Sequence, residues 1–153
     1  MIKKILVPID GSELSDGAVR YAMGFARLIN AQLLFCMAEP KTAPWLNFGF
    51  GAIVDPEALK AVHESSRLEA EKVLNDAVQL AQSAELIANS RLAFHDHPYE
   101  AIIDVAETEA CDLIIMASHG RRGVSGMLLG SETQKVLTHS AIPVLVYRNL
   151  ETA

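Results

Sequence analysis

Apolar residues in this sequence gather in five short runs, at 5–9, 32–37, 86–94, 112–117 and 143–147. Runs of this length, rich in branched side chains, predict β-strands. The runs around Ile5, Leu113 and Val144 are apolar almost throughout, as in strands covered on both faces. Pro8 falls near the end of the first run, where a missing N–H does least harm. Between the runs the period changes to that of a helix. Ala18, Ala22, Phe25, Ala26 and Ile29 share one helical face, with Ser12 or Ser15 placed to cap it. Leu59, Val62, Ala70, Val73, Ala77 and Leu80 predict a longer helix opening near Pro56, a favoured first-turn residue. Tyr99, Ile102, Ile103 and Ala106 mark a third helix from near Pro98, and Val136 with Leu137 a fourth from near Ser131. Strand alternating with helix implies parallel βαβ units with right-handed crossovers. The expected architecture is a single doubly wound α/β domain over residues 1–153, with helices on both faces of its sheet.

One segment departs from this alternation. A long loop at about 39–55 carries Trp45, Leu46, Phe48 and Phe50 among prolines and glycines. Its aromatic side chains need cover, which packing back on the domain, lidding a pocket or meeting a partner would each supply.

Composition narrows the function. Hydrophobic residues make up 50% of the chain and charged residues 21%, so a packed core is expected rather than disorder. A net charge of −6 and a pI near 5.3 argue against general nucleic-acid binding. Cys36 and Cys111 are far apart, each in an apolar setting and without a C-x-x-C motif, so two buried thiols in a reducing compartment are expected. The apolar run near the N-terminus is broken by Pro8 and closed by Asp10, too short for a signal peptide. No run approaches the about 20 apolar residues that cross a bilayer. A soluble cytoplasmic protein is the expectation.

The candidate chemistry lies where strands end. Ligands of open parallel sheets sit beyond the carboxyl ends of the strands, where the strand order reverses. Two loops have suitable residues: Pro8-Ile9-Asp10-Gly11-Ser12 after the first strand, and the stretch "ASHGRRGVSGMLLGS" (117–131) after the fourth. Four of the chain's 9 glycines fall between Gly120 and Gly130, with Arg121 and Arg122 among them, which suits an anion-binding nest of backbone N–H groups. Gly130-Ser131-Glu132-Thr133 would open the last helix, with its free N–H groups and two hydroxyls favouring phosphate. His119 and the two arginines could reach a phosphate or could simply pin or solvate the loop. The same glycines could also serve only as turns. There is no Walker G-x-x-x-x-G-K-[ST], no G-x-G-x-x-G after the first strand, and Gly123 to Gly126 falls one residue short of a G-x-S-x-G nucleophile elbow. His95-Asp96-His97 suggests a metal, but no third ligand is evident near it in sequence. Met23, Met37, Met116 and Met127 are expected to pack rather than react.

Over nearly its whole length the sequence resembles the universal stress protein family. The start "KKILVPIDGSELSDGAVRYA" and the stretch "CDLIIMASHGRRGVSGMLLGSETQKVLTHSAIPVLVYR" carry the likeness. The nucleotide-binding branch of that family has G-x-x-G, nine residues, then G-[ST]. Here 117–120, the residues to Leu129, and Gly130-Ser131 occupy that pattern, with Ala117 in place of the first glycine. If that position needs a positive φ, alanine would strain it by about 1 kcal/mol. Asp96 replaces a second family glycine, in a turn before Pro98.

The resemblance implies a five-stranded parallel sheet of Rossmann-like, adenine nucleotide alpha-hydrolase-like type, with ATP across the first and fourth strands. Backbone at Pro8, Ile9, Met37 and Met116 would line the adenine slot, with Asp10 near the adenosine or a phosphate-bound Mg²⁺. Gly120, Gly130, Ser131, Glu132 and Thr133 would hold ribose and phosphates, with Ala117 near their path; His119 and Arg121 are counted with this site from their own chemistry. A homodimer through the last strand (Val144, Leu145, Val146 and Tyr147) is also implied. The expected function is an ATP-binding regulatory module of the stress response rather than an enzyme, with at most slow hydrolysis. The alternatives are a slow Mg-dependent ATPase, and a protein-interaction dimer, or a binder of cyclic AMP, that does not bind ATP.

Overall fold

The computed structural model describes residues 1–41, 55–120 and 129–149. The apolar runs form β1 (Lys4–Pro8), β2 (Gln32–Glu39), β3 (Ala88–Phe94), β4 (Leu113–Ala117) and β5 (Val144–Tyr147). The helices are α1 (Glu13–Ile29), α2 (Pro56–Ser83), α3 (Pro98–Thr108) and α4 (Ser131–His139). All pairings are parallel, and the strand order is β3-β2-β1-β4-β5. The chain steps outward from β1 through β2 to β3, then crosses back to β4 and β5 on the other side. Right-handed crossovers therefore place the first two helices on one face and the last two on the other.

The two cores follow that division. Ile5, Val7, Leu33, Phe35 and Ile115 meet Ala22 and Ala26 of α1 and Ala70, Leu74 and Ala77 of α2. Leu6, Leu34, Ile114 and Met116 point the other way, toward Ile102, Val105 and Ala106 of α3 and Val136 of α4. Cys36 and Cys111 lie in this second core, and burial pushes their thiols up to about 12 and about 11. Both stay protonated packing groups.

The apolar stripe of α2 differs from the expected one. Its buried residues are Ala70, Leu74, Ala77 and Ala81, while Val62 and Leu80 remain 47% and 46% exposed. Only the second half of this helix lies on the sheet; its first turns run past the strand ends and bury nothing. The third strand begins at Ala88 rather than 86 because Leu86 still belongs to the end of α2, its N–H donating to Ala81 O at 3.1 Å. Three helices end this way, in a Schellman turn with a left-handed residue: Asn30 (φ 55°), Glu85 (φ 63°) and Ala110 (φ 50°). Beside these turns, charges bind the amino ends of the strands together. Lys4 Nζ lies 2.8 Å from Glu109 Oε2, Arg91 holds the other Glu109 oxygen, and Asp112 Oδ2 accepts the Lys3 and Lys4 N–H groups at 2.7 and 3.0 Å. Hydrogen bonds from Lys4 and Arg91 hold the Glu109 carboxyl down at about 2.

No helix among the described residues is long and apolar enough to cross a membrane.

Candidate functional site

The carboxyl ends of β1 and β4 lie side by side at the reversal of strand order, where their loops diverge to opposite faces. After β1 the chain turns sharply. Ile9 N–H donates to Cys36 O at 2.7 Å, Asp10 Oδ1 accepts Ser12 N–H at 3.0 Å, and Gly11 sits at φ 73°. Ser12 is the cap of α1, its Oγ accepting Ser15 N–H at 3.2 Å, while buried Ser15 receives the Asp10 N–H at 3.3 Å. Of the two serines it is Ser12 that caps the helix, while Ser15 ties back the turn after β1.

After β4 the backbone is tied at three points. Ser118 N–H donates to Tyr147 O at 2.8 Å, Gly130 N–H donates to Ser118 O at 2.8 Å, and Thr133 Oγ1 donates to Ala117 O at 3.1 Å. His119 Nδ1 and Ser118 Oγ are 3.0 Å apart. The two loops touch: a Cβ built on Gly120 would lie 2.6 Å from Asp10 Oδ2.

Above these ends is a cleft of about 1070 Å³. It brings together Pro8, Ile9, Asp10, Met37, Met116, Ala117, His119, Gly120, Gly130, Ser131, Glu132 and Thr133. Arg121, Arg122 and the aromatic segment around Trp45 lie outside the described residues. The N-terminus of α4 opens at this cleft with Gly130 as its cap residue, a position that offers no side chain of its own. Helix geometry leaves its first N–H groups without intrahelical partners, a natural place for an anion. Apolar strand ends on one side and these donors on the other fit a ligand with a flat heterocycle and a phosphate.

Four expected contributions come out differently. Ala117 is the last residue of β4, buried and in register with Tyr147, and its φ is not left-handed. The conditional strain of alanine therefore does not arise. Gly130 has φ −60°, and a side chain there would press the Ser118 carbonyl at 3.3 Å rather than occupy the cleft. The Thr133 hydroxyl is committed to Ala117 O and holds α4 against the end of β4. Glu132 directs its carboxylate sideways, accepting Tyr99 N–H at 2.9 Å and lying 2.9 Å from Lys135 Nζ. That bond caps α3, whose own cap residue, His97, offers no side-chain bond.

The cleft extends beyond the expected set. The first turns of α2 contribute Val62, His63, Ser66 and Arg67, and the rim after β3 contributes His95, His97 and Pro98. Lys135 is a cation in this wall, 5.3 Å from the Tyr99 ring centre. The i, i+4 pairs 62/66 and 63/67 and the Glu132/Lys135 spacing were the available sequence signals. At the rim, Tyr99 Oη donates to Glu100 Oε1 at 2.7 Å, which lowers that carboxyl and raises the Tyr99 phenol. His97 N–H donates to His95 Nδ1 at 3.1 Å, leaving Nε2 of that ring toward Glu100 Oε2 at 3.4 Å. Because β3 ends at Phe94, residues 95–97 form a turn instead of an alternating strand. Among the described residues no group of three or more His, Cys, Asp or Glu is arranged to hold a metal ion.

Comparison with known proteins places these features in a family. The model of the Universal stress protein family matches residues 1–148. A universal stress protein of Thermus aquaticus, encoded in the 3′ region of QAH/OAS sulfhydrylase, is 35% identical over 149 residues, covering 97% of this chain and all of that one. Among solved structures, hypothetical protein MJ0577, the subject of a structure-based functional assignment, superposes with a TM-score of 0.83. It is 26% identical, with 99% of both chains covered; a protein named MJ0577 among the relatives comes from Methanocaldococcus jannaschii. The universal stress protein of Archaeoglobus fulgidus in complex with dAMP superposes with a TM-score of 0.66 at 18% identity, covering 97% of this chain and 98% of that one.

Proposed function

This chain belongs to the universal stress protein family, and we propose that it is a nucleotide-dependent regulatory module of the stress response that binds ATP, with Mg²⁺, in the cleft between β1 and β4. One observation carries the proposal. The N-terminus of α4, whose cap residue is the glycine Gly130, opens at the carboxyl ends of two strands where the order reverses, and the Asp10 carboxylate lies beside Gly120 at the same cleft. Ser131, Glu132 and Thr133 would give backbone N–H groups to phosphate, and Gly120 and Gly130 would keep the loop ends close. Arg121 would add charge to the same anion. Pro8, Ile9, Met37 and Met116 would flank the adenine. Asp10 suits a magnesium ion held mainly by phosphates and water, since such ions take only one or two protein carboxylates. The A. fulgidus relative, in complex with dAMP, supports adenylate as the ligand class.

Binding without rapid turnover is the role we assign. Lys135, the lysine of the cleft wall, is engaged by Glu132 and faces Tyr99 rather than standing free to draw charge from a transferred phosphoryl group. We further assign β5 as the pairing edge of a homodimer. It is an outer strand whose residues Val144, Leu145, Val146 and Tyr147 are apolar and half-buried, whereas the opposite edge, β3, displays Asn89, Ser90 and Arg91.

The experiment is calorimetric titration of nucleotide-stripped protein with Mg-ATP and with cyclic AMP, with phosphate release followed in parallel. Saturable heat with ATP and phosphate release slower than one turnover per minute are expected. No heat with either ligand would make the loop architectural and move the function to the dimer surface.

A further inference from the structure

We propose that Glu132 sets the charge of ligand this cleft accepts, opposing each phosphate added to the adenylate. The inference rests on the nucleotide reading above and concerns how that site discriminates. Glu132 is the second residue of the helix whose free N–H groups face the cleft, and its side chain lines the same cleft. Its carboxylate is not free to swing away. Oε2 accepts Tyr99 N–H at 2.9 Å and Oε1 lies 2.9 Å from Lys135 Nζ, so two anchors on two helices fix it. An acid in a first turn ordinarily complements the helix dipole. Here it does so at the site where an anionic ligand would seek the same dipole.

Lys135 offsets the Glu132 charge, but this pair is surface-accessible, with side chains 45% and 36% exposed, so the neutralisation is partial. A phosphate in the same cleft, at a separation of about 5–8 Å, would feel this carboxylate through a largely aqueous dielectric. With an effective dielectric of roughly 40 to 80, one unit charge at that range is disfavoured by about three- to tenfold in affinity. The opposition grows with ligand charge. Without magnesium AMP carries about two negative charges and ATP about four, so a triphosphate meets more of it than a monophosphate.

The test is titration of the full chain and of Glu132→Gln with ATP, ADP and AMP, each without magnesium, at fixed ionic strength. Glutamine keeps an acceptor for Tyr99 N–H and removes only the charge. ATP affinity should rise about three- to tenfold and AMP affinity by less, so the ATP-to-AMP preference increases. Glu132→Ala, which removes charge and cap together, should shift the preference in the same direction even if its melting temperature falls. Equal changes for all three ligands, or none, would overturn the inference while leaving nucleotide binding intact. Failure of every protein to bind any of the three would overturn the nucleotide reading itself.

Discussion

Replacing Gly120 by alanine places a methyl group against a carboxylate. The added Cβ would lie 2.6 Å from Asp10 Oδ2, closer than such atoms pack, so the Asp10 side chain must rotate. The rotation breaks the 3.0 Å bond from Ser12 N–H to Oδ1 that shapes the turn after β1. One such hydrogen bond contributes about 0.5–1.5 kcal/mol, and an off-rotamer side chain costs about as much again. Reduced freedom of the unfolded chain offsets about 0.4–1 kcal/mol of this, because Gly120 has no left-handed φ to preserve. Gly120→Ala should therefore destabilise the fold by about 1–2 kcal/mol. In an Asp10→Ala background the methyl meets nothing, and the same substitution should become neutral or slightly stabilising. Urea unfolding followed by far-ultraviolet circular dichroism, on both single variants and the double, measures the coupling. A coupling above about 1 kcal/mol exceeds the few tenths expected for independent sites. An equal cost of Gly120→Ala in both backgrounds would show that the two loops do not meet as described.

Two glycines of α1 give a paired test: Gly24→Ala, with no atom within 4 Å of the new Cβ, should stabilise by about 1 kcal/mol, as alanine does in a helix. Gly17→Ala would bring its Cβ to 2.6 Å from Tyr147 Cε1, so overpacking of about 1–3 kcal/mol should cancel or reverse that gain in thermal melts; equal stabilisation by both would be the contrary result. Acid sensitivity should depend on Glu109, whose carboxyl is depressed from 4.5 to about 2 by Lys4 and Arg91. Its contribution is complete above 4.5 and is lost as pH falls toward about 2, so Glu109→Gln should lower stability at neutral pH and flatten the decline across that window. Melting temperatures between pH 2 and 6 would show it, and parallel curves for the two proteins would contradict it.

Much of the fold could be read from residue patterns because buried parallel strands announce themselves as unbroken apolar runs. Ile5 and Leu113 lie in buried strands, whereas Val144, equally apolar in its run, lies in the edge strand β5 and is only half-buried. Pattern could not say how far a helix outruns its sheet, so Val62 entered the stripe of α2; Leu80 entered it too, although it lies beside the Ala70–Leu74–Ala77–Ala81 face that the sheet covers. The site was legible as a set of positions, since spacing between motif residues survives folding. Direction was not legible. Whether Thr133 offers its hydroxyl to the cleft or to Ala117 O, and whether Glu132 faces a ligand or Tyr99 N–H, depends on neighbours brought in from other elements. The rim residues of α2 and the turn after β3 were missed for the same reason: they reach the cleft through tertiary placement alone.

The hydrogen bond from Gly130 N–H to Ser118 O has a consequence for how such a chain can change over time. The excursion after β4 leaves from and returns to one peptide group, while Thr133 and Tyr147 clamp that junction from either side. Its two ends are thus held together by bonds that the sheet and α4 supply. Closing a loop of twice the length across the same junction would cost only about 0.6 kcal/mol. The segment is a graft point: length and chemistry can be exchanged there while sheet, helices and cleft floor stay as they are.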